Sequence, residues 1–257
     1  AEVAAKLKKY GDGIGFVAGP ALSNEDLWEL RKLTRLVGEK RQRGLWPATM
    51  TGIEAIAQAG AGVGTRVQDI GPGSAILVIA SDFEEEAPVW WLQVKQAADR
   101  GVKVVVANAR PTKLDRYAAA TIHYEYGDAV KVMNEFSARA RSRKTVAREL
   151  VESRVDGYDA LIKSLKGVKV AHPDIADLLM DANDLLIFAG GEGLTLAQHG
   201  ELMQAASNLL IITGHVGRPN NGLVAVWPGA NVQGALDMGF SAETTQALLD
   251  SPPPMWF

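Results

Sequence analysis

The chain has 257 residues, enough for one large α/β domain or two interleaved lobes with an ample core. Lys and Arg number 27 against 30 Asp and Glu, and the resulting charge of -3 is too balanced to mark a nucleic-acid or membrane-surface binder. Hydrophobic residues make up 47% and charged residues 22%, which excludes a disordered chain, and the absence of cysteine excludes disulfides, all-cysteine zinc sites and cysteine-ligated iron–sulfur clusters within it.

In chain order, Gly13-Ile-Gly-Phe-Val-Ala18 predicts a short buried strand that Gly19-Pro20 breaks. Ser23 with Asp26 opens a helix in which Leu27, Leu30, Leu33 or Thr34, and Val37 recur at helical spacing until Gly38. Ala75-Ile-Leu-Val-Ile-Ala80 is apolar throughout, as a strand buried on both faces of a parallel sheet must be. Ser81-Asp82-Phe83 turns the chain, Glu84, Glu85 and Glu86 place negative charge at a helix N-terminus, and one helix then runs through Pro88 to Arg100 and stops at Gly101. With the strand Lys103–Ala107 this makes a βαβ crossover.

Thr121–Glu125 is a short strand candidate, followed by a charged helical stretch. Its Arg139, Arg141, Arg143, Lys144 and Arg148 read as a solvated helix face in preference to a phosphate-binding surface. A helix over Asp174–Asp181 leads into the strand Leu185–Ala189; Gly190-Gly-Glu-Gly193 turns into a helix through Ser207, and Leu209–Thr213 reads as a fourth strand. Gly214–Gly239, rich in glycine, proline and asparagine, reads as a long functional loop. No apolar run approaches the ~20 residues of a membrane-spanning helix. The opening at Ala1 and the apolar-tipped tail Ser251–Phe257 give the expectation of a piece of a longer chain.

Local chemistry goes less far. Gly60-Ala-Gly-Val-Gly64 follows no convincing strand and lacks the third glycine of a dinucleotide fingerprint, so it reads as a flexible turn. Gly190–Gly193 sits between strand and helix and is open to either reading, anion cradle or plain tight turn. His123, His172, His199 and His215 show no metal-ligand spacing, although His199 and His215 border the glycine-rich loops. The residues predict a ligand site in the crevice beyond the carboxyl ends of the strands, without naming the ligand.

Longer motifs are more specific. Asn24-Glu25-Asp26-Leu27 with Lys32-Leu33-Thr34-Arg35, Ser81-Asp82 through Pro88, Ala107-Asn-Ala-Arg-Pro-Thr112, Gly191-Glu-Gly193 with His199-Gly200, and Thr213-Gly-His-Val-Gly-Arg-Pro219 through Asn231-Val-Gln-Gly234 to Gly239 resemble, in order, motifs of the molybdopterin oxidoreductase superfamily. Trp46–Gly52, Gly62–Thr65 and Pro219–Trp227 resemble one branch of it, the largest peripheral-arm subunit of NADH:quinone oxidoreductase, respiratory complex I. The resemblance implies an α/β fold with Rossmann-like parallel sheets, flanking helices and two interleaved lobes of the formate dehydrogenase/DMSO reductase type. It implies a discontinuous lobe of residues 1–65 and 151–257 with residues 66–150 inserted, and a cleft floored by Asp82, Arg110, Gly193, His199 and the 214–239 loop.

In that branch the module is structural, its iron–sulfur clusters lie in an N-terminal part absent here, and no molybdenum cofactor is carried. The departures from the superfamily pattern agree with an empty or vestigial cleft without catalytic or metal-binding residues. Arg43–Met50 offers Thr49 and no thiol, Asn108 and Ala109 replace an Asp-Pro pair, and Asp82 stands where asparagine is usual, facing a dinucleotide pyrophosphate with like charge.

The preferred expectation is therefore a scaffold portion of that subunit, packed against other peripheral-arm subunits through surfaces such as the apolar tail and Arg139–Arg148. It would be peripheral on the cytoplasmic side of the inner membrane, without nucleic acid or direct membrane insertion. The rival is the pterin-binding half of a formate dehydrogenase- or nitrate reductase-like molybdenum/tungsten enzyme, with Arg110, Thr112, Gly214, Arg218 and Asn231 as contacts to molybdopterin guanine dinucleotide. A free-standing nucleotide-binding module rests on the glycine turns alone.

Overall fold

The computed structural model describes residues 2–38, 42–47, 49–143 and 155–257. In chain order the elements are α1 (Glu2–Tyr10), β1 (Ile14–Ala18), α2 (Asn24–Val37), β2 (Arg43–Leu45), α3 (Ile53–Ala59), β3 (Ala75–Ile79), α4 (Phe83–Glu86), α5 (Pro88–Asp99), β4 (Lys103–Asn108), β5 (Ala120–His123) and α6 (Ala129–Ser142). They continue with α7 (Tyr158–Ser164), α8 (Pro173–Met180), β6 (Leu185–Ala189), α9 (Leu196–Thr213), β7 (Gly222–Ala225), α10 (Val232–Asp237), α11 (Ala242–Asp250) and β8 (Met255–Trp256). This is the expected α/β class, with parallel sheets and flanking helices.

The residues form two compact units, Ala1–Ile53 with Trp227–Phe257, and Glu54–Val226. The breaks thus fall at 53/54 and 226/227 and not at 65/66 and 150/151. The reason is strand pairing: β3 lies between β4 and β6, so residues on both sides of position 150 build one sheet.

The first unit holds a three-stranded parallel sheet in the order β2-β1-β8. Ser23 caps α2 by accepting from the Asp26 N–H, as the capping-box pattern predicts. Leu27 and Phe240 pack with Ala18 and Leu45 in one cluster, Leu7 with Ile14 and Phe16 in another, and Leu30 packs against both. The tail is an edge strand: β8 pairs with β1, and the Phe257 ring lies 5.5 Å from that of Phe16.

The second unit is a five-stranded parallel sheet in the order β5-β4-β3-β6-β7. Register is continuous, Ala75 opposite both Lys103 and Leu185, and every residue of β3 and β6 is buried. Ile76, Val78, Val104, Val106, Leu186 and Phe188 build its core against Phe83 and Val94 of the crossover helices. The chain proceeds from β3 outward to β4 and β5, then returns to β6 and β7 on the other side. The topological switch point is therefore between β3 and β6.

Four local expectations are corrected. The helix expected from Glu84 to Arg100 is two, α4 and α5, because Pro88 lacks an N–H and keeps Ala87 out of helical geometry (φ -147, ψ 64). Leu209–Thr213 is the last turn of α9 and not a strand. A capping box of Thr195 and Gln198 starts this 18-residue helix, Gly214 ends it at φ 77, and a short apolar run packs equally well as buried helix. The 214–239 segment contains β7 and α10; four strand residues between proline and asparagine breakers leave little periodic signal. In the basic stretch, Arg139 and Arg143 are not a free solvated face, since they bind Asp177 of α8 and Asp181 just after it at 2.6 and 2.8 Å; Lys144 and Arg148 lie outside the described residues.

Candidate functional site

The carboxyl ends of β3, β4 and β6 converge on one polar cluster in the second unit. β3 is followed by Ala80, a non-glycine residue at φ 53, where the chain turns into Ser81 and Asp82. Asp82 caps α4 through Oδ1, accepting from the Glu84 N–H at 3.2 Å. Its Oδ2 meets Arg110 Nη1 at 2.8 Å. Arg110, just beyond β4, also donates from Nε to Glu192 Oε1 at 2.6 Å. Glu192 belongs to the glycine turn after β6, and its second oxygen accepts from Asn108 Nδ2 at 3.0 Å. One guanidinium therefore bridges the two turns that flank the switch point.

The glycines explain how the turns approach so closely. A Cβ on Gly190 would stand 2.5 Å from the Ala80 carbonyl oxygen, and one on Gly193 (φ 73) would stand 2.2 Å from the Tyr126 ring. The Glu192 N–H donates to that same Ala80 carbonyl at 2.9 Å. Gly190–Gly193 is thus a tight turn against the β3 end, the plainer of its two readings.

A third carboxylate completes the cluster. Glu86 accepts from the Ser81 hydroxyl, and its pKa is raised chiefly by burial, opposed by that hydrogen bond and reinforced by Glu192 and Asp82. The Tyr124 phenol is likewise pushed above its ordinary value, first by burial and further by Glu192. Hydrogen bonds to Glu192 and Asp82 hold Arg110 more firmly protonated than usual. Asn108 is fully buried, and its Oδ1 has no hydrogen-bond partner.

Of the other expected site residues, Thr112 and His199 lie at this edge outside the cluster, and the rest lie elsewhere. Thr112 binds Asp115 at 2.7 Å in the turn after β4, and Asp115 lies 3.4 Å from His123. His199 is buried on the first turn of α9, the helix that leaves the β6 turn. Gly214 and Arg218 are at the opposite, amino-terminal edge of the sheet. Gly214 ends α9, and Arg218 donates to the Asn183 carbonyl at 2.7 Å, two residues before β6. His215 is buried at that edge too, bonded to Thr213 and to the Ala182 carbonyl at 2.8 and 3.0 Å; burial lowers its pKa. Asn231 belongs to the first unit, where its amide donates to Leu22 O and Asn24 Oδ1 at 2.8 and 2.9 Å.

The carboxyl-terminal edge therefore gathers Asp82, Arg110, Thr112, Gly193 and His199, of which Asp82, Arg110 and the Gly193 turn form the cluster, while Gly214, Arg218 and Asn231 lie elsewhere. Glu192 was missed, although an acidic residue between glycines in a βα turn was a visible signal. Glu86 had been read only as compensation for a helix dipole. Among the described residues no three or more His, Asp or Glu are grouped to hold a metal ion, and no helix is long and apolar enough to cross a membrane.

A bound pterin dinucleotide fits this cluster poorly. Its pyrophosphate would meet three carboxylates, and the nearby guanidinium already spends two donors on two of them. The Arg43–Met50 stretch, in the other unit, offers an exposed Thr49 and no thiol.

A family model described as molybdopterin oxidoreductase matches residues 1–257. The alpha subunit of an F420-dependent formate dehydrogenase from Methanocaldococcus jannaschii is 27% identical over 92% of this chain and 38% of its own length. The alpha subunit of a NADPH-Fe(3+) oxidoreductase from Geobacter sulfurreducens is 24% identical over 90% of this chain and 29% of its own. This chain thus spans well under half the length of these curated relatives. Among solved structures, acetylene hydratase from Pelobacter acetylenicus superimposes with a TM-score of 0.64 over 86% of this chain and 32% of that one; at 17% identity this likeness speaks to the fold alone.

Proposed function

The chain belongs to the molybdopterin oxidoreductase family, and from that membership we propose that it is a non-catalytic scaffold portion of an oxidoreductase subunit, one that does not hold the family's pterin dinucleotide. The observation that carries this reading is Arg110 clasped between Asp82 and Glu192 at the switch point, with Glu86 beside them. These ion pairs stand at the crevice where a doubly wound sheet ordinarily receives its ligand. In the full form of the proposal the parent is the largest peripheral-arm subunit of NADH:quinone oxidoreductase. Electrons would pass through iron–sulfur clusters outside these residues, and the partners would be neighbouring peripheral-arm subunits on the cytoplasmic side of the inner membrane.

A second reading has its own support, the formate dehydrogenases among the relatives. It makes this chain part of a molybdenum or tungsten enzyme with Arg110, Thr112, Gly214, Arg218 and Asn231 on the pterin guanine dinucleotide. Against it stands the separation of Gly214 and Arg218 from Arg110, at opposite edges of one sheet. Plasma mass spectrometry and oxidised-pterin fluorescence on the full-length protein, isolated from its native host, decide between them. The scaffold reading expects no molybdenum, tungsten or pterin; near-stoichiometric molybdenum or tungsten with pterin overturns it.

A further inference from the structure

The polar cluster joins three separate crossovers, the turns after β3, β4 and β6, through side chains whose only covalent connection runs through the whole length of the strands and helices between them. We propose that Arg110 is the bolt of an internal lock that holds these three turns in one arrangement and keeps Ala80 in its left-handed conformation. A non-glycine residue at positive φ persists only where its surroundings over-determine it. At Ala80 they do so from both sides: its N–H donates to Ala107 O at 3.0 Å, at the end of β4, and its carbonyl accepts from Glu192 in the turn after β6. Arg110 ties the same two flanks together. It reaches Asp82, two residues beyond Ala80, and the side chain of Glu192 itself.

The parts are held from behind as well. Asp82 is fixed by capping α4, and the Glu192 carboxylate is held at its second oxygen by the fully buried Asn108. A planar guanidinium can serve two carboxylates with separate, directed N–H groups, which a lysine ammonium on a flexible stem does far less well. This inference deepens the scaffold reading and rests on it, because in the rival reading Arg110 serves the pterin in place of the two carboxylates.

Hydrogen exchange resolved to single amides tests the lock. In Arg110→Gln the amides of Ala80, Gly190 and Glu192 are expected to exchange on the order of tenfold faster, together, while those of Leu77, Val105 and Ile187 within the strands stay at wild-type rates. Arg110→Lys, which keeps the charge and loses the fork, is expected to resemble Arg110→Gln at Gly190 and Glu192. Unchanged exchange in Arg110→Gln overturns the proposal. So does an acceleration spread evenly over turns and strands, which would mean only global destabilisation. Full protection in Arg110→Lys also overturns it, since charge alone would then be enough. Metal and pterin assays play no part in this readout, so failure of the lock and failure of the scaffold reading remain distinct results.

Discussion

The two edges of the five-stranded sheet solve the same problem, tying loops to strand ends, with opposite chemistry. At the carboxyl-terminal edge the ties are ionic: Asp82, Arg110 and Glu192, with Glu86 alongside. At the amino-terminal edge they run mainly through neutral amides to the backbone. There the fully buried Asn221 accepts from the Leu185 N–H at 2.9 Å and donates to Asp184 and to the Pro219 carbonyl at 2.6 and 2.9 Å. His215, kept neutral by burial, and Arg218 complete that edge by binding the carbonyls of Ala182 and Asn183. Backbone-directed ties fix register and fold. Side-chain ion pairs placed where a ligand would enter decide what the crevice admits.

Substitutions at each edge can break or sharpen this contrast. The largest effect is expected from Asn221→Ala, which leaves the Leu185 N–H and the Asp184 carboxylate without their buried partner; urea unfolding should show a loss of about 3 kcal/mol. At the other edge Gly190→Ala pushes a Cβ against the Ala80 carbonyl at 2.5 Å and should cost about 2 kcal/mol by the same measurement. A cost as large as that of Asn221→Ala would erase the distinction between a folding edge and a crevice edge.

Smaller effects are read in the pH dependence. His215 has a folded pKa below its ordinary 6.5, so the unfolded chain takes up its proton first. The stability from its burial is present above 6.5 and declines as the pH falls toward the folded value, and His215→Gln should flatten that decline. Glu86 has the opposite sign: its folded pKa lies above the ordinary 4.5, so its contribution is full below 4.5 and is lost as the pH rises through the folded value. Glu86→Gln should therefore be slightly more stable than wild type at neutral pH, with the gain vanishing in acid, as unfolding midpoints across the range would show.

The sequence displays the interior of this fold better than its connections. Ala75–Ile79, Lys103–Asn108 and Leu185–Ala189 are legible because central strands of a parallel sheet must be apolar on both faces. Leu209–Thr213 is equally apolar and is helix, since burial on all sides removes the periodicity that tells the two apart. β7 hides among breakers, and the unit boundaries depend on the pairing of β3 with β6, whose partners are 110 positions apart, which no local pattern records. At the site, Asp82, Arg110 and Gly193 were found through motif order. Motif order also drew in Gly214, Arg218 and Asn231, whose side chains and backbone serve helix ends and loops elsewhere. Glu192 and Asn108, which complete the clasp on Arg110, act through a contact visible only once β4 and β6 stand one strand apart.

The most direct test of the central claim is an electron cryo-microscopy map of the full-length protein in its native assembly, read at the switch point between β3 and β6. The account predicts the Arg110 guanidinium bridging Asp82 and Glu192, with no dinucleotide density in the crevice. A pyrophosphate bound there, with Arg110 turned away from the carboxylates and onto its oxygens, would contradict it.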